Sequence, residues 1–504
     1  MSRSFLTSGQ LAGRFRSWVR QNPTRFAAYT RFREALHWLR WMPYHGGRAT
    51  KRQLRRVWNV VYWLPYRAYP AHWQGTPYAR AAESGFPPAP VPRWARRLWA
   101  AITRTNLARM GTFIPVRHAE ASDLAHGTIP LVPAQEVVFP APKVFGPPPP
   151  GWPAPWPDLR VPMAPITAAE WRDATVVGKF DTVLVGTRCI VGDLWQRDTE
   201  RTFDEVRDYA HVGLEKITYF RRRGPQLSLE RAIVVVGGPT GNWAHWTTEY
   251  LPKVALIDAI EQYRDWPLVI DEGLHPNIVA SLELVARKRE LVRLPEGVPM
   301  RLHEAVTVGS PGYTAYEYRY DWHNGPPGFK REHTVFSPAA LDLVRRRAWQ
   351  SAAAAPARQR LIYITRPKGS MRPFVGGEEV ERFFAAIGFE ILDTGSMTAA
   401  EQVRLFSQAR CIVGQSGAGI TNLVFAPPGC RVIVFAANSP HSIFHYFANM
   451  GAAAGHRVYY CFGESIYEPG GHPGHAGFTI ELEDAKRAWQ SVVQDEPPLG
   501  DQQT

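Results

Sequence analysis

From residue 360 onward, short apolar runs alternate with amphipathic stretches. Leu361-Ile362-Tyr363-Ile364 is unbroken by polar residues and ends in Thr365-Arg366. The spacing predicts a helix over 378–386, a strand over 389–392 and a helix over 398–409. A further strand, Arg410-Cys411-Ile412-Val413, breaks into Gly414-Gln415-Ser416-Gly417-Ala418-Gly419, where another helix begins. After Pro427-Pro428-Gly429 comes a fourth strand over 432–435. Strands that are apolar throughout are buried on both faces, and their alternation with helices means a parallel sheet. Such sheets bind ligands beyond the carboxyl ends of their strands, which is where 414–419 falls.

The glycines have a physical use at that edge. A strand-to-helix turn often needs positive φ, which glycine adopts freely. Bare backbone also lets the first N–H groups of a helix approach an anion, with the helix dipole adding positive potential. A diphosphate fits both properties. A Gly-rich turn without a ligand fits them as well.

Upstream, Thr175-Val176-Val177, Thr182-Val183-Leu184-Val185 and Cys189-Ile190-Val191 read as an antiparallel start. A buried strand over 231–236 ends in Gly237-Gly238, and 243–263 reads as a helix. Leu268-Val269-Ile270 and Val306-Thr307-Val308 continue an α/β pattern. Residues 140–165 hold eleven prolines, an extended composition that suits either a linker or an ordered crossing held by Trp152 and Trp156.

Charge divides the chain of 504 residues. Residues 1–70 carry fourteen Arg and Lys against the single acid Glu34, nearly the whole net charge of +14. Trp18, Trp38, Trp41, Trp58, Trp63 and Trp73 all fall in the first 75 residues, and Leu54, Val57, Trp58 and Val61 repeat at helical spacing. Basic, Trp-rich amphipathic helices suit an anionic membrane surface or a protein partner, or a helical subdomain packed on itself. No nucleic-acid motif accompanies the arginines, so nucleic acid is not the expected partner. Cys189, Cys411, Cys430 and Cys461 are too scattered for a zinc site or a disulfide framework. Neither a spanning helix nor a signal peptide is visible, so the expected location is the cytoplasm or, peripherally, the cytosolic face of a membrane.

A series of separated blocks carries a resemblance. Thr365-Arg366, Met397-Thr398-Ala399-Ala400-Glu401-Gln402 and Gly414-Gln415-Ser416-Gly417-Ala418-Gly419-Ile420-Thr421-Asn422 occur in order, before Pro427-Pro428-Gly429. Upstream stands Gly241-Asn242-Trp243-Ala244-His245-Trp246-Thr247-Thr248-Glu249-Tyr250-Leu251-Pro252-Lys253. This series resembles glycosyltransferase family 61 over roughly residues 174–462. One position departs: the family has His in the turn where this chain has Ser416, which can donate a hydrogen bond but carries no charge.

The resemblance implies a GT-B-like α/β fold, two Rossmann-like halves facing a cleft, here with a basic helical N-terminal appendage. The domains would be 1–110, the appendage; 111–173, a Pro-rich extended segment; 174–340, the acceptor-side α/β domain; 341–490, the nucleotide-sugar-binding domain; and 491–504, a polar tail. It also implies an inverting transfer from a nucleotide sugar, UDP-linked, to a hydroxyl of a glycan or glycolipid in polysaccharide biosynthesis.

Such a reaction needs a base for the acceptor hydroxyl and stabilisation of the leaving diphosphate. His245 and Glu249 lie four apart on one helix, one as base and the other as its orienter, or both as packing residues beside Trp243 and Trp246. Arg366, Lys368 and Arg372, with Ser416, Gly417, Ala418 and Gly419, would enclose the diphosphate. Glu401 would hold ribose hydroxyls or close a capping box. Asn422 would face the ligand or cap locally. No Asp-x-Asp ends a strand, so no metal site and no essential cofactor are expected beyond the donor itself. Gly414-Gln415-Ser416-Gly417-Ala418 also suggests a nucleophile elbow, hence a serine hydrolase using Ser416. A catalytically silent glycan- or nucleotide-binding protein of the same fold is a further alternative.

Overall fold

The computed structural model describes residues 111–119, 121–150, 157–191, 203–205, 210–212, 216–222, 227–314, 331, 334–366, 372–440, 445–467 and 476–495. The basic appendage (1–110) and Lys368 lie outside them.

Strands β1 (Lys143–Phe145) and β2 (Ile166–Val177) come before the first parallel set. That set comprises β3 (Leu227–Val235), β4 (Leu268–Asp271), β5 (Leu291–Leu294) and β6 (Pro299–Val308). They run in the spatial order β5-β4-β3-β6, all parallel, and β2 closes on β6 antiparallel, with Ala305 opposite Trp171. In chain order the parallel strands thus lie 3-2-1-4, one half of a dinucleotide-type sheet, whose order reverses between β3 and β6. The hairpins expected over 175–191 pair antiparallel beside β2.

The second sheet is parallel throughout. It contains β7 (Arg360–Ile364), β8 (Glu390–Leu392), β9 (Ala409–Gln415), β10 (Arg431–Ala437) and β11 (Arg457–Gly463), in the order β8-β7-β9-β10-β11, with β1 added at the far edge. That is the 2-1-3-4-5 doubly wound order, whose switch point lies between β7 and β9. The apolar runs behave as two-faced strands. Val432, Val434 and Ala436 enter one core cluster; Ile433, Phe435 and Ala437 enter the other. Cys411 is fully buried in the second cluster, and all four cysteines are buried.

One core continues from sheet to sheet. Ile233, Val235, Ile270 and Val306 belong to the same buried cluster as Ile362, Ile364, Ile412 and Val434. Between them lie a helical run (α1, 243–257), α2 (Pro276–Val285) and α3 (Pro338–Ser351). The capping residues are local and legible. Ser337 accepts from the N–H of Ala340 and precedes Pro338, which suits a first helical position. Helices α4 (Glu378–Ala386), α5 (Ala399–Phe406), α6 (His445–Ala453) and α7 (Leu482–Gln494) complete the cover. Helix α7 carries regular structure to Gln494, past the start of the expected polar tail.

The described parts of the Pro-rich segment contribute paired strands. Gln135–Phe139 pairs with Leu159–Met163, while β1 pairs with β11. The Arg331 guanidinium donates to the carbonyls of Pro157, Phe139 and Pro140 at 2.5, 2.7 and 2.8 Å, and burial pushes its pKa down to about 10. Trp152 and Trp156 lie outside the described residues.

Candidate functional site

The switch point of the second sheet gathers positive charge, with no counter-charge beside it among the described residues. Arg366 follows the end of β7. Its Nη1 is buried and has no hydrogen-bond partner, and burial alone lowers its pKa. Arg372 lies close enough to feel it: desolvation first, then the charge of Arg366, pushes its pKa down to about 10, and its Nε is likewise buried without a partner. Arg372 also adopts φ +61°, a left-handed conformation uncommon for a residue with a Cβ. Two guanidiniums held this way are costly unless an anion or water meets them. The remaining N–H groups form the kind of fork that grips phosphate oxygens bidentately.

Gly417 stands against this pair. A Cβ there would lie 3.2 Å from Arg366 Nη1, so glycine leaves room for the guanidinium on the backbone. This corrects the expected reason for the glycines. Gly417 has φ 169°, extended backbone open to any residue, and neither Gly414 nor Gly419 lies in the left-handed region. Close approach, not a left-handed turn, accounts for Gly417. The helix beyond is also not an α-helix but a 3₁₀ helix, Ala418–Phe425. The N–H of Ser416 is bonded to Phe435 O at 2.8 Å and so is unavailable to a ligand. Those of Ala418 and Gly419, the first of the helix, have no carbonyl ahead of them within it.

The run α1 starts beyond the carboxyl end of β3. Asn242 caps it, accepting from the N–H of Ala244 at 2.9 Å. Residues Trp246–Tyr250 form a π turn inside the run, a distortion that recurs at functional sites. His245 stands just before it and Glu249 within it; His245 Nδ1 and Glu249 Oε1 are 2.7 Å apart, and both side chains are buried. Tyr446, from α6, packs edge-on to His245 with ring centroids 6.0 Å apart, and its hydroxyl is 3.2 Å from Thr248 Oγ1. The carboxyl edges of both sheets therefore meet around α1.

Asn422 is not at an open ligand surface. It is fully buried, accepting at Oδ1 from Trp243 Nε1 (2.9 Å) and donating from Nδ2 to Gln402 Oε1 (2.7 Å). The Gln402 amide in turn donates to the carbonyls of Thr394 and Met397, each at 3.1 Å. Glu401 beside it is exposed and closes a capping box: its Oε2 accepts from the N–H and the hydroxyl of Thr398 at 2.8 Å, and Thr398 Oγ1 accepts from the Glu401 N–H. Those bonds lower the Glu401 pKa.

The edge of the first sheet holds charge of the opposite character. Asp271, at the end of β4, is fully buried. It accepts from the N–H of Lys179 (2.5 Å), the N–H of Gly237 (2.9 Å) and the Thr240 hydroxyl (2.6 Å), while Lys179 Nζ reaches Thr240 Oγ1 at 2.9 Å. Desolvation raises its pKa against these bonds. Tyr250 donates to Asp181 at 2.9 Å, and a Cβ at Gly237 would lie 2.2 Å from the Tyr250 hydroxyl. Asp271 thus fixes the 237–242 turn from which α1 departs, although in sequence it reads as an isolated acid. Among the described residues no three His, Cys, Asp or Glu side chains gather to hold a metal. A cavity of about 500 Å³ runs along α2, lined by Leu274, Val279, Glu283 and Arg287 among others, and contains none of the candidate residues.

No curated protein matches the chain. Residues 243–433 match the family model described as Glycosyltransferase 61, a span that takes in α1 with its His245–Glu249 pair, Arg366, Arg372 and the Gly-rich turn. The match identifies a glycosyltransferase family 61 domain over residues 243–433, less than half of the chain.

Proposed function

We propose that this glycosyltransferase is an inverting enzyme. It would move a sugar from a UDP-linked donor to a hydroxyl of a glycan or glycolipid in polysaccharide biosynthesis. The observation that carries the reading is the pair Arg366 and Arg372, with buried, unpartnered N–H groups at the switch point of a doubly wound sheet. A leaving diphosphate supplies the missing negative charge. The N–H groups of Ala418 and Gly419 and the Ser416 hydroxyl border the same edge, and Lys368 lies between the two arginines in sequence. Stabilisation by fixed cations acts where charge develops and requires no reorganisation. No essential metal or further cofactor is proposed.

The acceptor would approach from the first sheet, in a GT-B-like arrangement. His245 is the proposed base. Glu249, 2.7 Å from Nδ1, orients the ring and holds the Nδ1–H tautomer, which puts the accepting lone pair on Nε2. In a single displacement the acceptor oxygen bonds to the anomeric carbon as the bond to the diphosphate oxygen breaks. The hydroxyl proton passes to His245. Glu401, already closing its capping box, retains carboxylate lone pairs for the ribose hydroxyls. Among the described residues no helix is long and apolar enough to cross a membrane. Residues 1–75 are proposed to hold the enzyme at an anionic cytosolic surface or on a protein partner.

A thermal-shift panel of UDP, GDP, CMP and TDP sugars tests this reading. UDP sugar at about 100 times its dissociation constant raises stability by roughly 2.7 kcal/mol. Indifference to every nucleotide would overturn the reading.

A further inference from the structure

A buried chain of amides joins the two sheet edges, and its direction is fixed. The carbonyls of Thr394 and Met397 only accept, so the Gln402 amide nitrogen faces them. Gln402 Oε1 must then accept from Asn422 Nδ2, which leaves Asn422 Oδ1 for the indole N–H of Trp243. Both amide side chains are at most 5% exposed, so water does not substitute for a lost partner. Each member comes from a different element: Gln402 from α5, Asn422 from the 3₁₀ helix behind the Gly-rich turn, Trp243 from the first turn of α1.

What lies at each end gives the chain its meaning. Trp243 is two residues ahead of His245. Asn422 is three residues beyond Gly419, and a Cβ at Gly419 would be 3.3 Å from Thr394 Oγ1, so the 394–397 turn, Gln402 and the Gly-rich turn form one block. The amides can all be satisfied only when α1 stands at one distance and one rotation from that block. A small displacement of α1 would leave buried polar atoms unpaired.

Resting on the reading of the site given above, we propose that Asn422, held by Gln402 and gripping Trp243, is a positioning residue. It sets the His245–Glu249 pair at the distance from the donor turn that transfer requires. It touches neither donor nor acceptor. Its contribution therefore falls on turnover and not on donor affinity, because misplacement of a reacting group by about 1 Å can cost about 10²-fold in rate.

The test is Trp243→Phe, which keeps an aromatic ring and removes only the N–H donor. Transfer kcat is expected to fall by about tenfold or more, while the UDP dissociation constant by calorimetry stays within about twofold. Donor hydrolysis should rise relative to transfer, since water needs less exact placement than a glycan hydroxyl. A structural role alone lowers hydrolysis and transfer together, in proportion to the folded fraction. That result, or unchanged kcat, overturns the proposal. Should Trp243→Phe fail to fold, Asn422→Asp retains the acceptor for Trp243 and faces Gln402 Oε1 with a second acceptor, and the same split of kcat from UDP affinity is expected. A wild-type chain that neither binds UDP nor turns over a sugar nucleotide removes the reading of the site itself. An active wild type with an equally active Trp243→Phe removes only the relay.

Discussion

The carboxyl edges of the two sheets handle buried charge in opposite ways. At the first, Asp271 is surrounded by donors that consume both its oxygens, and the result is a rigid turn. At the second, Arg366 and Arg372 repel one another and keep N–H groups unspent. Internally balanced charge serves the scaffold. On the proposed reading, charge left unbalanced at a strand edge is arranged for a ligand, so that the same strand-edge geometry would yield a support at one site and a receptor at the other.

Substitutions at each edge should separate these roles. The largest effect is expected at the pair that both edges position. His245→Ala should lower transfer by about 10²–10⁴-fold with UDP affinity retained, read by steady-state kinetics beside calorimetry. Next, Asp271→Ala should cost about 3–5 kcal/mol of stability in a denaturant titration, because it strands buried donors. Arg372→Ala should behave inversely. UDP binding weakens by about 1.5–3 kcal/mol while the melting temperature holds or rises, since a buried repulsion is relieved. A clear drop in melting temperature for Arg372→Ala would erase the contrast.

Smaller effects come from pH and from the glycine. The folded pKa of Arg372 is depressed to about 10, so the folded state releases a proton there that the unfolded chain keeps. As pH rises through about 10, stability relative to Arg372→Gln should therefore rise, while UDP affinity falls. Parallel curves for the two proteins would contradict this. Gly417→Ala forces Arg366 to give by a few tenths of an ångström, and UDP binding should weaken less than in either arginine variant.

Much of this fold is legible from apolar runs alone, because strands covered on both faces cannot tolerate polar residues. The runs at 361–364, 410–413 and 432–435 all became strands of the second sheet. Spatial order is a different matter. Nothing in the runs says that β7 sits between β8 and β9, yet that reversal places Arg366 beside Gly417. The position of the Gly-rich turn was readable. Its mechanism was not, because close approach depends on a guanidinium about fifty residues away in sequence. Asn422 shows the same limit: a polar residue after a ligand turn reads as ligand-facing until Trp243 and Gln402 close over it. Asp271 left no local signal, since its partners are 31 to 92 residues distant, and the bond from Asn422 to Gln402 likewise spans 20 residues.

The hydrophobic interior that continues from one sheet into the other has a mechanical consequence. Swinging the sheets apart would expose helices α1, α2 and α3 along their packed faces, so a wide hinge opening is energetically remote. Substrates must enter and products leave by rearranging the margins, with the body staying still. Small-angle scattering should then give the same radius of gyration for the free enzyme and for its complex with UDP.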